Sequence, residues 1–401
     1  MDKVKSSPMN NNAHTDYIQL ICDASAVLFV CVVYALSDTI NYFVVGTQIV
    51  FFTAVLINAY QKAYRVKMSI ILWGVIFYGF CLLSVFWAYY PEGLSDRMVP
   101  TLKVVLVVVT IPIYVNGKRE LDILLKAFII GAAILLFRLI LATPLDEWGT
   151  SRLGRSIGYN ANTVGLSFAY ASTICMYYVK DKKLYFFIFL LFALLSLFSG
   201  SRKSFLWIIL TISMFFFNRM KRPANVLYIV PFGLLIFLII YLAMNNPTLY
   251  EIIGIRVESL LNLITGEGRG DSSIRIRMRM ISAGVDLFKE NMLIGYGVDG
   301  YRHLSVYGKY AHNNYIELLV NHGLIGMALY YFLPVTILLK AINIWLHKTR
   351  EVVIAIVFIM LILINDYGHV SYYNITTLLL IAISYCFVSH TDSLISTETA
   401  A

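Results

Sequence analysis

Runs of about twenty apolar residues recur along this 401-residue chain, each ended by a short polar connection. The hydrocarbon core of a bilayer is ~30 Å thick, which a helix of roughly 20 residues spans. In lipid the backbone must satisfy its own hydrogen bonds, so runs of this length are read as helices. About twelve stretches qualify, near 17–36, 42–60, 68–88, 98–115, 122–143, 161–179, 184–200, 203–218, 224–245, 323–346, 352–366 and 371–389. Those near 203 and 352 are the shortest. Only 14% of the residues are charged and 59% are apolar, whereas a soluble domain carries nearer a quarter charged residues. The expected fold class is an all-α polytopic membrane protein of about 12 transmembrane helices.

Basic residues support this count. Lys3 and Lys5 precede the first span, Lys62, Arg65 and Lys67 follow the second, and Lys118 and Arg119 follow the fourth. Lys180, Lys182 and Lys183 follow the sixth, Arg219, Lys221 and Arg222 the eighth, and Lys348 and Arg350 the tenth. Every second connection is basic, which by the positive-inside rule puts both termini in the cytoplasm. The net charge of +9 is then orientation charge, not a nucleic-acid-binding surface. The N-terminus shows no signal-peptide cleavage pattern, so the first span is expected to stay. The five cysteines (Cys22, Cys31, Cys81, Cys175 and Cys386) fall in or beside apolar runs and read as buried hydrophobes. No Cys/His spacing suggests a metal site, and no cofactor is expected. The chain divides into 1–245 with nine spans, a long extracytoplasmic loop at 246–311, and 312–401 with an amphipathic helix and three further spans. Long loops in compact proteins are usually functional.

Several polar groups fall on the outer side. "SGSRKS" places Arg202 and Lys203 in the tight turn between spans seven and eight. They read either as headgroup-reaching cations or as functional intramembrane charge. In "SSIRIRMRMISAGVDLFKE", Ile274, Ile281, Val285 and Phe288 form a stripe at helical spacing, and Arg277 lies on it. Arg275 and Arg279 share the other face with Ser282 and Asp286. A cation facing a packed interior needs an anionic partner, and guanidinium suits phosphate oxygens. "GRSIGYNANTVG" holds Arg155, Asn160 and Asn162, and "NDYGH" holds Asn365, Asp366 and His369.

The densest polar stretch is "AHNNYIELLVNHGLIG". Ile316, Leu319, Val320, Gly323 and Leu324 follow the i, i+3, i+4, i+7, i+8 pattern of an amphipathic helix running into span ten. Glu317 and Asn321 lie four apart on another face. His312 and Asn313 stand at its start, where Asn caps well. The positive end of the helix dipole disfavours imidazolium, so His312 is expected to be neutral and able to act as a base; the plainer reading is a capping or hydrogen-bonding histidine. His322 is given that plainer reading. Gly323 and Gly326 are expected to thin the helix for close packing.

"HNNYIELLVNHGLIG" resembles the pattern His-[Asn/Ser/Gln]-x9-Gly-x-x-[Gly/Thr/Tyr] of the O-antigen ligase and Wzy-type polysaccharide polymerase superfamily, with His312 and Asn313 opening it and Gly323 and Gly326 closing it. "LFSGSRKSFL" is similar to that superfamily's Ser-Gly-Ser-Arg segment. "IRMRMISAGVDLFKENMLIGYG" resembles its Arg-led helix before a Gly-x-Gly turn, here Gly295 and Gly297. Met292 stands where the family often has Pro, and Ile281 where Trp is common. The resemblance covers the chain from about 150 onward. It implies a GT-C-like, metal-independent, inverting glycosyltransferase that uses a glycan linked to undecaprenyl diphosphate at the outer face of the bacterial inner membrane. His312 would be the catalytic base, and Arg202 and Arg277 would bind the diphosphate. Asn313, Glu317, Asn160, Asn162, Lys203, Arg155 and Asp366 would support them. The partners implied are the undecaprenyl-diphosphate-linked oligosaccharide and the lipid bilayer, with a chain-length regulator and a flippase beside them; no nucleic acid is expected. A polymerase of O-antigen, capsule or exopolysaccharide repeat units is the favoured activity. A ligase that transfers the glycan to lipid A–core is the alternative. A lipid-linked oligosaccharide flippase is the reading from a different class, and it lacks the internal repeat many transporters carry.

Overall fold

In the computed structural model the chain is all-helical, with no strand among the described residues. The described residues are 9–36, 41–62, 67–144, 148, 153–219, 241, 244, 245, 250, 254, 258, 272–347, 349 and 351–400. The helices are α1 (Met9–Leu36), α2 (Asn41–Lys62), α3 (Met68–Leu83), α4 (Gly93–Tyr114), α5 (Lys118–Ala142), α6 (Ala161–Tyr178), α7 (Leu184–Phe198), α8 (Arg202–Arg219), α9 (Ser272–Glu290), α10 (Gly300–Leu304), α11 (Asn314–His347), α12 (Val353–Asp366) and α13 (Ile375–Ala400). Among the described residues, seven helices are long and apolar enough to cross a membrane, and three shorter apolar helices lie at 184–198, 203–218 and 353–366. The expected ninth span, 224–245, and the first part of the long loop lie mostly outside the described residues. So do Lys3, Lys5, Arg65, Lys221, Arg222, Lys348 and Arg350.

The helices pack into one bundle around a continuous core drawn from α1–α8 and α11–α13. Their outward faces carry large apolar side chains such as Tyr60, Phe137, Phe187 and Leu339, as a lipid-facing surface requires. All five cysteines are buried, as their setting suggested. Close helix approach is set by glycine where the neighbour leaves no room. A Cβ on Gly165 of α6 would stand 2.3 Å from Ser199 Oγ, and one on Gly131 of α5 would stand 2.8 Å from Tyr34 Cβ.

Cross-contacts sort the connections into two ends. At one end Lys67 Nζ donates to Val115 O (3.2 Å), Lys180 pairs with Glu351 (3.2 Å) and Trp345 Nε1 donates to Asn218 Oδ1 (2.7 Å). Among the described basic residues, Lys67 and Lys180 make these contacts. At the other end Ser84 Oγ accepts from Val298 N–H (3.1 Å), Lys203 Nζ donates to Gly368 O and Asn314 reaches the 371–372 turn.

The second half of the long connection before α11 is among the described residues. Helix α9 and the short α10 lie on α11 around a small core of Met280, Tyr301, Ala311, Ile316 and Val320. Their anchor is a break in α11. Gly323 sits at φ 63°, ψ −166°, a region open essentially to glycine alone. The helical bonds from Leu324 and Ile325 back to Val320 and Asn321 are lost there. Leu324 N–H donates instead to Met292 O (2.8 Å) and Ile325 N–H to Leu293 O (3.2 Å), while Val320 O and Asn321 O accept from Tyr296 (2.9 Å) and Gly297 (2.8 Å). Two intrahelical bonds are exchanged for four to the 292–297 loop, so no buried backbone group is orphaned. Sequence periodicity pointed to one amphipathic helix thinned by Gly323; the structure instead divides it, because the loop occupies the gap.

This geometry makes Gly323 hard to replace. A Cβ there would fall 2.2 Å from Leu293 O, whereas one on Gly79 of α3 meets nothing within 4 Å. Gly323→Ala is expected to destabilise the protein by at least about 1–3 kcal/mol through backbone strain alone, and Gly79→Ala to be near neutral. Thermal unfolding of the two variants in detergent measures this; equal midpoints would show the break to be undemanding.

Candidate functional site

The site is built at the start of α11, where a loop turns sharply into the helix. Asn313 is the N-cap: its Oδ1 accepts from Ile316 N–H (3.1 Å), and its carbonyl takes the first helical bond from Glu317 (3.0 Å). His312, just before it, is left-handed at φ 54°, a conformation rare outside glycine though more open to His than to branched residues. Glu317 is fully buried and folds back, its Oε2 accepting from Ala311 N–H at 2.6 Å. The backbone on both sides of His312 is therefore tied down by side chains of the helix that follows.

Sequence inspection passed over the next residue. Asn314 is fully buried. Its Oδ1 accepts from Ser371 N–H (2.8 Å) and Tyr372 N–H (3.1 Å), and its Nδ2 donates to Asp366 Oδ2 (3.2 Å) and Tyr331 OH (2.9 Å). Asp366 Oδ2 also accepts from Tyr331 OH (2.8 Å). This network ties α11 to the 367–374 turn after α12. Read alone, the stretch "HNNY" contains no hint that its second Asn serves a distant turn. Arg97 was missed for the same reason. It pairs with the buried Asp299 (2.7 Å) and lies over the Tyr373 ring (4.6 Å), joining α4 to α10 beside the site.

Three cations and a second histidine share this end. Burial holds the His312 imidazole well below its usual range, to about 4, with Arg277, Lys203 and Lys309 adding to the effect. The neutral form anticipated from the sequence is what this environment favours, but the cause is burial and neighbouring cations. His369 is pushed to about 3, by burial first and then by Lys203 and His312. Lys203 is anchored through Gly368 O. On α9, Arg277 is half-buried, whereas Arg275 and Arg279 are exposed with Ser282 and Asp286. Arg277 makes no ion pair among the described residues. His312 also packs on the partly exposed Tyr310 ring, centroids 4.1 Å apart.

The remaining expected site residues take other places. The Arg202 side chain lies outside the described residues. Asn160 caps α6 by accepting from Asn162 N–H (2.9 Å), and Arg155 is exposed on the 3-10 turn before it. That turn lies at the same end of the bundle, since α6 packs at Gly165 on Ser199 and Ser204. No hydrogen bond or ring contact joins it to His312. His322 is fully buried between Phe80 and Tyr372, and neither ring nitrogen has a hydrogen-bond partner among the described residues. No cluster of three or more His, Cys, Asp or Glu side chains that could hold a metal occurs among the described residues.

Asn314→Ala would leave two backbone N–H groups and the Asp366 carboxylate short of partners. A buried group left unsatisfied costs about 1–3 kcal/mol, so this variant is expected to lose more stability than Asn160→Ala, which removes an exposed cap worth ~1 kcal/mol. Thermal midpoints in detergent test the order; the reverse order would remove Asn314 from its role as a tie.

Two comparisons with known proteins bear on this arrangement. No curated protein matches the chain. A family model described as O-antigen ligase matches residues 187–331, a range that holds Lys203, Arg277, His312, Glu317 and both sides of the Gly323 break. The similarity to that family is confined to residues 187–331 and takes in the His312 end of the bundle.

Proposed function

We propose that this protein is a membrane glycosyltransferase acting on undecaprenyl-diphosphate-linked glycans at the outer face of the bacterial cytoplasmic membrane, a Wzy-type polymerase joining repeat units. The observation that carries the reading is a neutral, half-buried His312, on a constrained turn, in the field of Arg277 and Lys203. The orientation, with the basic connections inside and the His312 end outside, follows from the positive-inside rule. A GT-C-like, inverting and metal-independent character belongs to the same proposal.

The chemistry is a single displacement. The His312 imidazole accepts the proton of the acceptor hydroxyl, whose oxygen attacks the anomeric carbon. The bond from that carbon to the diphosphate oxygen breaks, and the lipid diphosphate leaves with the electron pair. Arg277, Lys203 and Arg202 would meet the negative charge that develops on it. A base held near 4 is weak in the free protein. The arriving diphosphate offsets the cations that add to the effect of burial, so donor binding would restore part of its basicity when the proton must move.

The ligase reading keeps one supporting observation, the description of the matching family model itself. Acceptor choice separates the two. Purified protein given undecaprenyl-diphosphate-linked repeat units from its source membranes is expected to produce a ladder of longer lipid-linked chains. Extension only after lipid A–core is added would make it a ligase. His312→Ala is expected to abolish the ladder, and Arg277→Ala to cost at least about tenfold more activity than Arg275→Ala, in keeping with the loss of a donor to a developing anion. Near-normal polymer from His312→Ala would remove the base assignment.

The pH profile gives a second test. The base must be neutral, so kcat/KM is expected to rise with pH through about 4 and be flat by pH 6. The acid limb of kcat should lie higher, because bound diphosphate offsets Arg277 and Lys203. A kcat/KM limb near the unperturbed imidazole value of about 6.5 would contradict the electrostatic picture.

A further inference from the structure

We propose that Glu317 is a positioning residue for His312, its buried carboxylate holding the Ala311 amide and thereby fixing the left-handed turn that carries the imidazole. This rests on the reading of His312 as the base.

A non-glycine residue at positive φ costs about 1–3 kcal/mol and persists only where its surroundings over-determine it. At His312, with φ 54°, the constraints can be named. Asn313 caps the helix on the following side (3.1 Å). On the preceding side Ala311 is fully buried against Met280, Tyr301, Ile316 and Val320, and its N–H donates to Glu317 Oε2 at 2.6 Å. The acid cannot swing away, because its Oε1 accepts from Asn321 Nδ2 (3.4 Å) while Asn321 Oδ1 accepts from Tyr301 N–H (2.8 Å). The clamp is thus continuous with the loop that fills the Gly323 break.

A buried acid is expensive and is retained only where its oxygens are bonded. The helix does not need Glu317 as a cap, since Asn313 already fills that place. Glu317 is fully buried, so it offers no oxygen to an acceptor sugar. What its short bond governs is the backbone of the residue before the base. A misplacement of ~1 Å at a reacting group can cost about a hundredfold in rate.

Three variants separate reach, charge and fold: Glu317→Gln, Glu317→Asp and Glu317→Ala, with His312→Ala as reference, in purified protein extending undecaprenyl-diphosphate-linked repeat units. Gln keeps an oxygen at the same reach, so it is expected to retain at least about a third of wild-type kcat. Asp keeps the charge but falls one methylene short. Asp and Ala are each expected to lose about 10- to 100-fold in kcat, with KM for the donor within about threefold, since Arg277 and Lys203 are untouched. Adding Glu317→Ala to His312→Ala should cost nothing further. The opposite order, Asp active and Gln inactive in folded protein, would show a charge role and overturn the proposal. So would wild-type kcat in Ala, or a raised KM at unchanged kcat. Should Ala fail to fold, the Gln and Asp pair decides by itself. Inactive His312→Ala with that opposite order rejects the clamp alone; active His312→Ala rejects the base reading and the clamp with it.

Discussion

The exchange of backbone hydrogen bonds at Gly323 is the interaction on which the rest of the site depends. A helix interrupted inside a membrane protein leaves donors and acceptors that lipid cannot satisfy. Here the 292–297 loop supplies all four partners, and the loop's own groups are taken up in turn. Asn291 Nδ2 donates to Gly295 O (2.8 Å), Trp87 Nε1 to Ile294 O (3.3 Å) and Tyr89 N–H to Tyr296 O (2.9 Å). One glycine conformation thereby locks the connection after α3, the loop and α11 together. It also sets where α9 lies, because α9 runs directly into that loop.

With α9 placed, the electrostatics of the His312 end follow. Arg277 is brought to bear on His312 only because α9 lies on α11. Lys203 arrives from another direction, held by the backbone of the 367–374 turn, and that turn is held by Asn314. Cations from α8 and α9 and imidazoles from two loops meet without a carboxylate pairing with Arg277 among the described residues. Such an excess of positive charge at a partly buried place favours a neutral base and an anionic visitor. Burial is the larger cause of the neutral base, and the cations add to it while also favouring the anion.

The polar end has little redundancy. Asn313, Asn314 and Glu317 occupy one turn of α11, yet each serves a different structure: the helix itself, the turn after α12 and the loop before His312. The Arg97–Asp299 pair (2.7 Å) does similar work between α4 and α10. The Asn313 and Glu317 bonds are local to the turn that carries His312, whereas the Asn314 and Arg97 bonds join segments far apart in sequence.

The sequence by itself determined the all-helical character, the positions of most helices and the two-ended arrangement, because apolar run length and basic spacing are local properties that lipid reads directly. It also singled out His312, Asn313 as a cap, and Arg277 over its exposed neighbours, since helical periodicity shows which face a residue shares. Only the tertiary structure decided that α11 breaks at Gly323. A glycine in an apolar run looks the same whether it thins a helix or ends one, and the difference lies in a loop about thirty residues away. The roles of Asn314 and Glu317 and the presence of Arg97 were hidden for the same reason. Ser371 and Asp299 are partners chosen by packing between distant segments, and Ala311 is reached only because the loop turns back onto the helix; such hydrogen bonds leave no periodic trace in the chain.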